Sequence, residues 1–232
     1  MTEVEMTSDI TVKLVRAMAS DDMVVQAAQV SVKGENKPDT VPERLINYLM
    51  NSRHGSPFEH NAFTFFVEAP IFVFREWQRH RMSSFNEMSG RYSKLLPKFY
   101  TFPTTRKLQN VGTSARPEME EGTYEQKIHV NLTDRRIAEA AWAAYETRLA
   151  MGVANEVARA VLPVSVYSQM YWSVNARSLM NFLSLRVDSQ DSIARSRPQW
   201  EIQVGATQVE EAFSELMPVT YKAFVANGRV AP

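Results

Sequence analysis

The sequence predicts an α+β fold, with a few strands among mixed helices in one domain. Three observations carry this. Short stretches alternate apolar and polar residues, while longer ones repeat apolar residues at helical spacing. Hydrophobic residues make up 44% of the 232 residues and aromatic residues 10%, enough for a substantial core. No repeat, and no linker of shifted composition, divides the chain.

The elements follow in order. ITVKLVRAM (10–18) alternates and reads as a strand. Asp21 or Asp22 caps a helix through about Val32. KGENKPD (33–39) is a loop. Thr40, with Pro42 and Glu43 behind it, starts a helix over ERLINYLMNSRH, 43–54. HGSP (54–57) is a turn, and NAFTFFVEA (61–69), rich in β-formers, is a buried strand. Pro70 opens a helix over PIFVFREWQRHRM (70–82). Its first turns are apolar and its last is basic, an order that suits the helix dipole. Residues 97–122 hold several Pro and Gly residues and read as a long loop, a kind of segment that is often functional.

Ile128, Leu132, Ile137, Ala141, Tyr145 and Leu149 recur at helical spacing through 123–150, and Gly152 ends that helix. VANEVARAVL (153–162) is a short helix stopped by Pro163. VSVYSQMYWSV (164–174) is a strand, and Asn175 caps a helix over ARSLMNFLSLRV (176–187). QDSIARSR (190–197) is a polar insertion. A long helix covers 198–217, and a short one follows Pro218.

Composition excludes several function classes. Lys and Arg number 26 and Asp and Glu 26, a net charge of zero, so nothing draws the chain to polymeric nucleic acid or an anionic membrane. With no cysteine there is no disulfide, thiolate zinc site or Cys nucleophile, which fits a cytoplasmic protein. MTEVEMTSDI lacks the basic and apolar parts of a signal peptide, and the apolar runs are far short of a membrane span. His54, His60, His80 and His129 have no metal-binding spacing, so no metal is expected. Arginines outnumber lysines 18 to 8. That excess fits specific anion sites or a coding bias.

RHRMSSFNEMSGRYS (79–93) departs from the core pattern. Arg79, His80 and Arg81 end the predicted helix as three cations. Successive helical residues point about 100° apart, so the three fan outward. They fit two adjacent ligands, or one ligand across a subunit boundary. Beyond them Asn86, Glu87, Ser89, Arg91 and Ser93 form a polar loop able to cradle a phosphate, with Arg91 closing on it. The same composition also describes a basic helix end and a Ser-rich surface loop. Arg159 lies mid-helix in an apolar stretch, while Asn175, Arg177, Asn181 and Arg186 lie on a mostly apolar helix. Arg177, Asn181 and Leu185 share one face. Each arginine alone fits a structural ion pair; the set fits an anion-binding cleft.

Arg-His-Arg, seven residues, then Ser89 resembles the RHRx₇S signature of the flavin-dependent thymidylate synthases. HGSPFEH, VARAVLP and YWSVNARSLMNFLSLR are similar to further blocks of that family, in the same order. The resemblance covers roughly residues 10 to 225. It implies an antiparallel or mixed β-sheet flanked by helices, in a single-domain protomer (1–232) of a homotetramer whose active sites lie at subunit interfaces. It implies FAD, contacted by Ser56, Arg79, His80, Arg81, Glu87, Asn175, Arg177 and Asn181, with His54 supporting. It implies dUMP, contacted by Gln78, Arg79, Glu87, Ser89, Gly90, Arg91, Arg159 and Arg186. The co-substrates would be 5,10-methylenetetrahydrofolate and NADPH. Arg186 would be catalytic, stabilising charge on the uracil in place of the missing thiolate, with Ser89 a nucleotide contact rather than a nucleophile. Two departures stand out: Glu76 replaces a Gln of some relatives, and Gln190 with the insertion replaces a His near the flavin. The competing readings are a non-enzymatic nucleotide or RNA-binding module, and an oxidoreductase that only oxidises NADPH.

Overall fold

In the computed structural model, residues 2–35, 42–114 and 116–232 are described. They form a mixed α+β structure with an antiparallel sheet and helices. In chain order the elements begin with β1 (Glu5–Thr7), β2 (Thr11–Met18), α1 (Asp21–Lys33) and α2 (Glu43–Asn51), then β3 (Ala62–Pro70), α3 (Ile71–Trp77) and β4 (Ser83–Glu87). Three short strands follow: β5 (Lys98–Tyr100), β6 (Gln109–Asn110) and β7 (Met119–Glu120). The rest is α4 (Tyr124–Ala150), α5 (Asn155–Ala158), β8 (Tyr167–Asn175), α6 (Ala176–Arg186), α7 (Trp200–Leu216) and α8 (Pro218–Ala226).

Four strands form the main sheet in the order β2-β3-β8-β4. Along β3 the side chains of Phe63, Phe65, Val67 and Ala69 are buried and alternate with half-buried Thr64, Phe66 and Glu68, the period of a strand with one face in the core. Partners on β8 run in the opposite direction. Thr64 Oγ1 meets Ser173 Oγ at 2.8 Å, the Phe66 ring meets Tyr171 at 6.1 Å, and Gln169 Nε2 donates to Glu68 Oε2 at 2.6 Å. That register makes β3 and β8 antiparallel neighbours.

The residues group into two compact units. One comprises Met1–Ile10, Glu68–Glu76 and Glu87–Met170; the other comprises Thr11–Val67, Trp77–Asn86 and Tyr171–Pro232. In the first, β1 pairs in parallel with β5, and Phe99, Ala138, Trp142, Tyr145 and Val166 form the core with Val4 and Leu95. In the second, aromatic rings make the core. Trp172 stacks on Phe65 at 5.6 Å, meets Trp77 edge-on at 5.4 Å, and lies 4.9 Å from Phe182.

Several boundaries differ from expectation, each for a local reason. Ser20 caps α1 by accepting from Met23 N, because Asp21 turns instead to the backbone of Val219 and Thr220. The helix start expected at Thr40 lies outside the described residues; α2 begins at Glu43 and ends at Asn51, short of 54. The helix expected over 70–82 stops at Trp77. His80 N then bonds to Trp77 O, Arg81 N to Arg79 O, and Ser83 Oγ to His80 O, and Ser83–Glu87 joins the sheet. Serine backbones favour such side-chain alternatives over continued helix, and an open sheet edge supplies the rest.

The long loop at 97–122 carries structure of its own, since β6 and β7 form a small antiparallel ladder. Asn110 Oδ1 accepts from both Gly112 N and Glu118 N, which closes the turn between them. The short helix expected over 153–162 is α5 plus a 3-10 turn over Arg159–Val161, so Arg159 sits at a helix end. The α4 stripe is half right. Tyr145 is buried, but Ile128, Leu132 and Ile137 are exposed. The described helices include none long and apolar enough to cross a membrane.

Candidate active site

The unit that contains α6 gathers most of the expected cofactor residues. Asn175 ends β8 and caps α6, its Oδ1 accepting from Ser178 N at 2.8 Å. That cap fixes where the helix starts, and Leu179, Met180, Phe182 and Leu183 bury one side of it. Arg177, Asn181 and Leu185 stand on the side left open, as their spacing implies; Leu185 is 55% exposed. Asn181 Nδ2 donates to Arg177 O.

Arg177 is tightly held. Its Nη1 donates to Glu59 Oε1 at 2.6 Å and its Nε to Pro232 O at 2.7 Å. Its guanidinium lies flat against Gly55, where an added Cβ would meet Cζ at 2.5 Å. A side chain at this position would push the guanidinium from its place, so Gly55 suits the close approach. On one side of it His54 packs edge-on against Tyr48 at 5.8 Å; on the other, exposed Ser56 opens a 3-10 turn over Ser56–His60 that buries Pro57 and Phe58. Arg53 adopts a left-handed φ of 60°, disfavoured by about 1–2 kcal/mol for a residue with a side chain. Its Nη1 offsets this by donating to Val230 O at 3.2 Å and Ala231 O at 2.9 Å.

The RHR segment is a turn, not a helix end, and only two of its three residues are cations. Gln78, Arg79 and Arg81 are exposed and His80 is half-buried. Arg186, the last residue of α6, donates from Nε to His80 Nε2 at 3.1 Å. An imidazole nitrogen accepts only when it carries no proton. Burial first, and the Arg186 charge second, pull His80 from the ordinary 6.5 down to about 4, so the ring is neutral at physiological pH. Phe182 presses its edge against that ring at 4.9 Å. The same corner borders a half-open cavity of about 200 Å³ lined by His80, Arg81, Met82, Ser83, Val174, Ser178 and Asn181.

The other unit holds Glu87, Ser89, Gly90, Arg91 and Arg159. Ser89 Oγ accepts from Arg91 N at 3.3 Å, and Ser89 O accepts from Tyr92 N and Ser93 N. Gly90 is buried, and a Cβ there would lie 3.2 Å from Arg159 Cδ. The turn and Arg159 are thus brought together. Arg91 Nε pairs with Glu156 Oε2 at 2.9 Å with both side chains about half exposed, a geometry worth little in stability. Neither Glu59 nor Glu156 stood out as a site residue in the sequence. The signal available was charge: a half-buried guanidinium needs a carboxylate partner. Glu76 belongs to this unit, while exposed Gln190 belongs to the other. The insertion around Gln190 is tied down by Ile193 N to Gly228 O and by Arg195 to Asp188. The described residues include no group of three His, Cys, Asp or Glu that could hold a metal.

A family model described as thymidylate synthase complementing protein matches residues 13–219. A flavin-dependent thymidylate synthase from Streptomyces coelicolor is 52% identical over 99% of this chain and 96% of its own. One from Tropheryma whipplei is 48% identical over 97% of this chain and 96% of its own. The chain belongs to the flavin-dependent thymidylate synthase family. Members of that family are dUMP methyltransferases. A solved UMP/dUMP methylase, PolB from Streptomyces cacaoi, bound with 5-Br UMP, matches with a TM-score of 0.92 and 47% identity over 99% of both chains.

A flavin fits the residues present, in part. The cavity walls combine apolar Met82 and Val174 with polar His80, Arg81, Ser178 and Asn181, the mix that suits a flat heteroaromatic ring. Its volume lies below the roughly 300–1,000 Å³ of complete ligand pockets. It matches one ring system rather than a whole dinucleotide.

Proposed function

We propose that the chain carries out the reductive methylation of dUMP to dTMP, with 5,10-methylenetetrahydrofolate as carbon donor and NADPH as reductant. Family membership over nearly the whole chain supports the reaction class. The observation that carries the mechanism is Arg186, half-buried and bonded to a neutral His80 that lines the cavity. A bound flavin supplies redox chemistry that no side chain offers.

The residues of the chain divide the remaining work. Arg177, Asn181 and Ser178, with Arg79, His80, Arg81, Asn175, Ser56 and Glu87, hold the cofactor, and His54 supports it. Arg91, Arg159 and the Ser89–Gly90 turn hold the nucleotide phosphate, for which a guanidinium fork is well shaped. Gln78 and Arg79 complete the nucleotide contacts. Arg186 stabilises negative charge as it develops on the uracil ring, which makes C5 reactive without a thiolate adduct. Ser89 acts as a contact, since its Oγ already accepts from Arg91 N and no neighbouring base is evident.

We also propose a cytoplasmic homotetramer of single-domain protomers. The partial cavity favours sites completed by other copies, and one family model spans residues of both units. On α4, Ile128 and Leu132, one turn apart, leave exposed apolar side chains (39% and 65%), a patch that a second copy would cover. Leu132→Arg is expected to shift the protein to smaller species in light scattering after size exclusion, with its helix content kept. An unchanged mass would remove α4 from the interface.

The test of function is release of tritium from 5-labelled dUMP. Release is expected only when methylenetetrahydrofolate, FAD and NADPH are all present. Release from 5-labelled UMP but not dUMP would make the chain a UMP methylase instead. NADPH oxidation indifferent to either nucleotide would make it a simple oxidoreductase.

A further inference from the structure

We propose that His80 is a positioning residue for Arg186, its unprotonated Nε2 anchoring the guanidinium through Nε and so aiming it at the uracil ring. The inference rests on the reading of Arg186 above.

The geometry supports it at each link. A guanidinium is a rigid planar fork. A bond made through Nε fixes the rotation of that plane without using the terminal Nη pair, the edge suited to carbonyl or ring-nitrogen acceptors. The contact is 3.1 Å, an ordinary hydrogen-bond length. His80 is itself held from three directions. Phe182, on the helix that carries Arg186, contacts the imidazole at 74°. Trp77 O takes the His80 backbone N–H, and Ser83 Oγ donates to the His80 carbonyl at 2.6 Å. Two residues 106 positions apart thus meet in a fixed orientation.

The electrostatics agree. Arg186 on α6 is the charged group that acts on the ring, and Arg79 and Arg81 flank it in sequence; the cavity lining adds Arg81 and the uncharged Met82, Ser83, Val174, Ser178 and Asn181. Burial and the Arg186 charge both oppose protonation of the ring. A protonated His80 would lose its acceptor and repel Arg186. The histidine of the RHR motif therefore works here by having no charge, and it is the two arginines that supply it.

The experiment has two arms. In the flavin-free protein, ¹H–¹⁵N imidazole spectra are recorded across pH; there are only four histidines to assign. The His80 ring is expected to stay neutral down to about pH 4, with Nδ1 protonated and Nε2 accepting. Arg186→Ala should raise its titration midpoint. The second arm compares kcat and KM for tritium release at saturating FAD. His80→Phe, which keeps the ring and removes the acceptor, should lower kcat about 10- to 100-fold, with KM for dUMP changed less than about threefold. His80→Gln, which keeps an acceptor, should recover most of the loss.

Two results would overturn the proposal. One is an identical His80 titration with and without Arg186. The other is restoration of His80→Phe to full turnover by excess FAD, which would make the histidine a cofactor contact only. If the unmodified protein released no tritium, the functional reading would fail, and the titration arm would still decide the His80–Arg186 contact.

Discussion

Arg186→Ala is expected to lower tritium release from 5-labelled dUMP by about 10²–10³-fold in kcat, the scale set by removing one preorganised charge donor from a reacting site. The fold should survive the change. Arg186 is the last residue of α6 and half-buried, while the helix is held by the Asn175 cap and by Leu179, Met180, Phe182 and Leu183. Truncation removes a donor from a helix end and opens no core cavity. Circular dichroism melts of mutant and parent should therefore nearly coincide. The loss should fall mainly on kcat, because the charge it answers develops during the reaction rather than in the bound nucleotide. Near-normal turnover in this variant would end the idea that the uracil is activated electrostatically by α6.

Trp172→Ala should be the most damaging change to stability, by about 3–5 kcal/mol. The side chain is fully buried and touches three other rings. Phe65 stacks on one face, Trp77 stands at 82° to it, and Phe182 closes the third side. Against a typical total of about 5–15 kcal/mol, that loss approaches global unfolding. Urea titrations followed by fluorescence should show a sharply lowered midpoint with little change in slope. The damage should also reach the site. Trp77 anchors the turn that presents Gln78 to Arg81, and Phe182 holds the His80 ring. Trp172→Phe should restore most of the stability and flavin binding together. A Trp172→Ala protein as stable as its parent would mean that these rings do not form the structural base assigned to them.

The long periodic elements were legible in the sequence. The strand at 62–70 announces itself by its run of β-formers, α4 by its helical spacing, and α6 by its Asn cap and apolar side. Strands of two or three residues, such as β1 and β5 to β7, carry no period to read. They exist because distant backbone groups complete them, as Glu5 to Thr7 do for Lys98 to Tyr100. The end of α3 was missed for the same reason: the open edge of β8 that receives Ser83–Glu87 is not visible from the local sequence. On α4 the period was right and the face only half so. Apolar spacing does not separate Trp142, which is buried, from Leu132, which is not.

The candidate site shows the same division. Its residue types were legible because arginines, an Asn cap and a Ser–Gly turn crowd into apolar surroundings. Its pairings were not. Glu59 meets Arg177 across 118 positions, and no local pattern predicts that. His80 was counted as a cation because the sequence reports the residue type and not its burial.

The anchoring of the last three residues has a practical meaning. Val230 and Ala231 offer their carbonyls to Arg53, and Pro232 offers its own to Arg177. Removing these three residues would free the Arg53 guanidinium beside His54 and leave Arg177 on α6 resting on its pair with Glu59. The candidate site would lose an anchor with every residue of its signature motif still intact.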